Sequence, residues 1–83
     1  MAEEKVGVVS DFFARISVAG INLSAPLCVG DTIRIKGHTT DFEQRVDSMQ
    51  IEHEQVEEAK AGQSVGIKVQ DRCRHGDEVF KIT

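Results

Sequence analysis

A small, closed, six-stranded antiparallel β-barrel is the fold this sequence predicts, an all-β class resting on three observations. Apolar and polar residues alternate with a period of two through stretches rich in β-branched side chains. Six such stretches occur, each short and each bounded by turn residues. The chain has only 83 residues, and closing so few strands into a barrel removes the unpaired edges that a flat sheet would expose. A domain of this size buries only about 60% of its unfolded surface, so residues 1–83 are expected to form a single barrel domain.

The first strand is expected in "KVGVVS" (5–10), with Val6 and Val8 on one face, and the second in "RISVAGINL" (15–23), with Ile16 and Val18 on one face. Pro26 in "SAPL" marks a connection. "DTIRIKG" (31–37) turns Ile33 and Ile35 inward and Arg34 and Lys36 outward. "TTDF" followed by "EQ" matches capping-box spacing, but strand signals on both sides make it a structured turn. "QRVDSMQIE" (44–52) and "SVGIKVQ" (64–70) supply the fourth and fifth strands, with Val65, Ile67 and Val69 on one face. "DEVFKIT" (77–83) closes the chain, Val79 and Lys81 opposing Phe80 and Ile82.

"VGD" (29–31) and "HGD" (75–77) each place Gly-Asp before a strand. Glycine permits positive φ there and the aspartate can bond nearby backbone, so both predict tight turns. Between the fourth and fifth strands, "EHEQVEEAKAG" repeats His53, Val56 and Ala59 every three residues and stops at Gly62. That spacing predicts a short helical or irregular loop near 53–61 that plugs the barrel end, with Val56 and Ala59 inward and Glu54, Glu57, Glu58 and Lys60 solvated.

Hydrophobic residues make up 40% of the chain and charged residues 29%, a globular balance far from that of disordered chains. The formal charge of −4 and a pI near 5.2 exclude nucleic-acid binding through a global basic field and leave only a local patch. No apolar run reaches the roughly 20 residues a membrane span needs, and "MAEEKVG" is acidic where a secretory leader would be basic. A cytoplasmic protein with no membrane contact is expected, monomeric or weakly self-associating.

Cys28 and Cys73 form no CxxC pair and read as reduced, buried thiols. His38, His53 and His75 lack the paired short spacing of a zinc site, so no metal is expected. No nucleophile signature surrounds the serines and no phosphate-cradling GxxxxGK[ST] run occurs, so neither a nucleotide, another cofactor nor catalysis is expected.

The run "VDSMQIEHEQVEEAKAGQSVGIKVQDRCRHGDEV" resembles the second domain of translation elongation factors of the elongation factor Tu and archaeal-eukaryotic type. The resemblance rests on Ser48, His53, Glu54, Ala59, Gly62, Val65 and Gly66, with "PLCVGDTIRIKG" upstream, and covers about residues 27–80. It implies a six-stranded barrel of the translation-protein domain 2 type. It further implies a stand-alone, non-catalytic module contacting the tRNA 3′ end or the ribosome, with Gln50, His53, Val56 and Ile67 near the pocket positions. Residues 10–26 are longer than the matching hairpin of that family. Gln50 stands where the bacterial pattern has Glu, and His53 where it has Arg. Such barrels also occur as accessory domains of collagenase-like peptidases, which implies an alternative: a protein-interaction module that binds no RNA.

For either reading the outward cations Arg34, Lys36, Lys68, Arg72 and Arg74 are candidate contacts, as is Lys81, although outward charges on strands also serve simply to solubilise. His53 can equally pack or cap its loop. Phe12 and Phe13 are adjacent, so in an extended strand one of them faces away from the core and is free to stack or dock.

Overall fold

In the computed structural model, which describes residues 2–83, the chain forms ten strands and, among the described residues, no helix. They are β1 (Glu3–Phe13), β2 (Val18–Leu23), β3 (Leu27–Cys28), β4 (Thr32–Lys36), β5 (Asp41–Arg45), β6 (Met49–Ile51), β7 (Glu54–Val56), β8 (Glu58–Ala59), β9 (Ser64–Lys68) and β10 (Glu78–Ile82). Eight of them make one antiparallel sheet in the order β5-β4-β10-β1-β2-β9-β6-β7, while β3 and β8 pair separately. The all-β class stands.

The expected closure does not. β5 and β7 are the two ends of the sheet, and β5 shares no ladder with β9. Side chains cross that gap instead. The Gln44 Nε2 donates to the Lys68 carbonyl at 2.8 Å, the Gln44 Oε1 accepts from the Gln70 amide at 2.7 Å, and the Gln70 Nε2 donates to the Glu43 carbonyl at 2.9 Å. The sheet curls far enough for two glutamines to span its opening, and it stays open as a ladder.

The 53–61 segment is also corrected, because it is extended rather than helical. Ile51 and Glu54 flank a two-residue hairpin turn, Glu52-His53, and β7 and β8 come next. The inward and outward assignments within it hold: Ala59 is buried, Val56 is half-buried against the core, and Glu54, Glu57, Glu58 and Lys60 are exposed.

Alternation sets the core where it is unbroken. Ile33 and Ile35 of β4, and Val65 and Ile67 of β9 with Val69 just beyond, are all buried. β1 departs from strict alternation. Gly7 pairs with Val79 while Lys5 pairs with Phe80, leaving Val6 as an extra residue, and Ser10 is extra opposite Ile21 and Gly20. Each inserted residue reverses the facing of the residues after it, so Val6 and Val9 are buried and Val8 is only half-buried. The Ser10 hydroxyl at the second bulge donates to the Gly20 carbonyl at 3.2 Å.

Both Gly-Asp turns form by one device. Gly30 and Gly76 take φ of 99° and 94°. Asp31 Oδ2 accepts from the Cys28 amide at 2.9 Å, and Asp77 Oδ2 from the Arg74 amide at 2.8 Å, three residues back in each case. The turns launch β4 and β10, which pair with each other from Lys36↔Glu78 to Thr32↔Ile82.

Candidate functional site

The candidate residues fall into three separate places. The first is the cationic set. Arg34 on β4 is held in a fork, its Nε and Nη2 on the two Asp41 oxygens at 2.8 and 2.9 Å and its Nη1 on Glu3 at 2.9 Å. Those bonds raise the guanidinium pKa, and the Arg34 hydrogen bond holds the Asp41 carboxyl below its ordinary range. Arg34 is thus spent within the fold. Lys36 ends β4 and Lys68 ends β9, both exposed. Arg72 and Arg74 lie in the connection to β10 and share a shallow depression with Asp41 and Asp71. Arg34, Lys36, Arg72 and Arg74 lie around Asp41 and are interleaved with carboxylates, while Lys68 stands at the end of β9.

The second place is the β6–β7 hairpin. Gln50 is exposed on β6 opposite Gln55 and Gly66. His53 is exposed at the turn with φ of 68°, beside Glu52 at 51°. Val56 lines two adjoining grooves, one with Val29, Asp47, Ser48, Met49, Gln55 and Glu57, the other with Cys28, Val29, Glu57 and Glu58. Ile67 is fully buried behind them, so its role is in the core. Among the described residues no group of three metal-ligating side chains comes together. Cys73 is buried, which together with the nearby Asp77 charge pushes its thiol up to about 11.

The third place is the β1–β2 hairpin tip. Phe12 packs against the core, whereas Phe13 is 52% exposed. Ile16, expected to share a strand face with Val18, instead sits in the tip turn and is 61% exposed. Its amide donates to the Phe13 carbonyl at 3.2 Å, and Ser17 turns the chain with φ of 54°. No Gly, Asn or Pro marks this turn in the sequence, so nothing there signalled that Ile16 leaves the sheet.

No protein-family model matches the chain. Over 79 residues it is 47% identical to an uncharacterized protease of Methanocaldococcus jannaschii, a match covering 94% of this chain and 19% of that protein. It is 35% identical over 79 residues to a collagenase of Porphyromonas gingivalis, covering 93% of this chain and 22% of the collagenase. The chain therefore spans about a fifth of the length of the relatives it matches.

Its fold is that of the C-terminal domain of a U32-type peptidase of Geobacillus thermoleovorans. Two crystal structures of that domain superpose with TM-scores of 0.87 and 0.90 at 19% identity. They cover 92% and 96% of this chain and 96% and 93% of theirs.

These likenesses overturn the resemblance to elongation factor domain 2, and with it the translation and RNA-binding reading. Similarity extending over nearly the whole chain leads to proteases and collagenases rather than to translation factors. No helix among the described residues is long and apolar enough to cross a membrane. What the chain matches, in sequence and in fold, is one β domain of peptidase-type polypeptides.

Proposed function

We propose that this chain is a non-catalytic protein-interaction module that serves a peptidase-type polypeptide by holding an unfolded protein substrate. The observation that carries the reading is the hairpin tip, where Phe13 and Ile16 stand exposed together. The ends of the chain lie at the other pole: Ala2 and Thr83 exchange backbone hydrogen bonds at 3.1 and 2.9 Å, where β1 begins. The length of β1 separates them by about 30 Å. A polypeptide joined at either end would sit at one pole while the apolar tip addresses something else at the other. The likeness to proteases and collagenases supports a protein ligand, which we take to be unfolded polypeptide.

Retention on immobilised gelatin, with tRNA as a parallel ligand, tests this at low and high salt. Apolar docking predicts gelatin retention that hardly changes with salt, is lost in Phe13→Ser/Ile16→Ser and is kept in Lys36→Glu/Arg72→Glu. Phosphate contacts would instead weaken steeply with salt. Absence of gelatin retention, or its survival in the tip variant, overturns the reading.

A further inference from the structure

We propose that the free edge of β7 and the groove beside it form a second site, which takes an extended cationic peptide segment as an added strand. The two-residue turn makes Ile51 and Glu54 the hydrogen-bonded pair, so the next pair, Gln50 and Gln55, points its backbone groups outward. Those of Gln50 face β9, where it pairs with Gly66. Those of Gln55 face away from the sheet, because β7 is its last strand. Among the described residues no loop or side-chain hydrogen bond claims them.

The two ends of the sheet are treated differently. At β5 the outward Glu43 carbonyl is taken by Gln70. At β7 the Gln55 groups have no such cover, while the next outward carbonyl, that of Glu57, accepts from the Val29 amide at 2.8 Å, so an added strand would pair at Gln55 and end against Val29.

The groove supplies the side-chain preference. Val56 is half-buried and Val29 is 36% exposed, giving an apolar floor where both grooves meet. Asp47, Glu57 and Glu58 line its walls, and no lysine or arginine does. None of the three joins an ion pair among the described residues, where the carboxylates that do are Glu3, Asp31, Asp41 and Glu78. An added strand alternates its side chains. One set can therefore rest on Val29 and Val56 while the other brings lysine or arginine to the carboxylates, which also disfavours acidic segments.

The test uses a fluorescent peptide of alternating Lys and Val, its Glu-Val counterpart, and amide chemical-shift mapping on the intact chain. The Lys-Val peptide is expected to bind, to perturb the amides of Gln55, Val56, Glu57 and Val29, and to weaken as salt rises. Affinity should fall about tenfold or more in Asp47→Lys/Glu57→Lys and in Gln55→Pro, which removes the edge donor at a position where an edge strand tolerates proline. Phe13→Ser/Ile16→Ser should leave this binding unchanged, which separates it from docking at the hairpin tip. Equal affinity for the Glu-Val peptide, perturbations centred elsewhere, or full binding by the charge-reversed variant would overturn the proposal. If Gln55→Pro fails to fold by circular dichroism, the charge reversal and the mapping decide.

Discussion

Gln44→Ala tests how the curled sheet is held across its opening. Gln44 supplies two of the three bridging hydrogen bonds, to the Lys68 carbonyl at 2.8 Å and from the Gln70 amide at 2.7 Å. A typical intramolecular hydrogen bond contributes about 0.5–1.5 kcal/mol net, and water can replace both partners here, so the loss should be about 1–2 kcal/mol. For a domain of 60–100 residues each kcal/mol moves Tm by about 4–8 °C, which puts the expected drop at about 4–16 °C.

Gln44→Glu is the informative companion, because a carboxylate still accepts from the Gln70 amide and cannot donate to the Lys68 carbonyl. It should keep the bond from the Gln70 amide and set a carboxylate oxygen against the Lys68 carbonyl where the other bond was. Thermal melts give the magnitude, and hydrogen exchange locates it, with protection falling in β5 and around Lys68–Gln70 before the rest of the sheet. A Tm within about 2 °C of the parent for Gln44→Ala would refute the reasoning, since it lies well below the smallest drop these bonds allow.

Three further outcomes are expected. A Cβ at Gly37 would collide with Asp77 Oδ1, so Gly37→Ala should cost about 2–3 kcal/mol by displacing the Asp77 carboxylate from its turn. In urea titrations that cost should shrink when Asp77→Ala is already present, a coupling additive sites would not show. Because the folded pKa of Asp41 is depressed by Arg34, its contribution is present above the unfolded carboxylate range and lost as pH falls through the lower folded value. Asp41→Asn should therefore lower the neutral melt slightly and flatten the acid limb of a stability-against-pH curve, so that parent and variant converge at low pH. Glu52 and His53 both take positive φ, a type I′ requirement that Asn-Gly meets at least strain. Glu52→Asn/His53→Gly should raise stability by about 0.5–1 kcal/mol in chemical denaturation.

Alternation was legible where one face is buried along a whole strand. Ile33 with Ile35, and Val65 with Ile67, are placed correctly because both strands pair on two sides in the middle of the sheet. The Gly-Asp turns were legible because the side chain and the glycine act within four residues. Bulges were not: Val6 and Ser10 become extra residues only through the partners that β10 and β2 present.

The expected 44–52 strand breaks at Val46–Ser48 for a similar reason. The Val46 amide donates to the Asp31 carbonyl and its carbonyl accepts from Gly30, both at 2.8 Å, which draws that segment out of the ladder. The charged run read as a helical turn is an edge hairpin whose outward side has no core to face, so its pattern carries no period-two signal. At the candidate sites, Phe13 followed from the adjacency of two phenylalanines. Ile16 and the β7 edge did not, since exposure there depends on which strands end the sheet.

The residues that carried the resemblance to elongation factors explain why it misdirected the function while coming near the fold. Ala59 is buried where β8 meets Leu27, Gly62 turns the chain with φ of 90°, and Val65 is in the core. At Gly66 a Cβ would stand 3.3 Å from Val18 Cγ1 across the β2–β9 ladder, so a small residue keeps those strands in register. Every one of these positions answers to turn geometry, burial or close strand approach. Any small curled β-sheet with a hairpin between its fourth and fifth segments faces the same demands, whatever it binds. The positions free of them are Phe13, Ile16, Gln55, Glu57 and Glu58, exposed in each case. None of these five except Phe13 was among the residues singled out as candidate contacts. In a domain of this kind, function is better sought at side chains the fold does not require than at those it does.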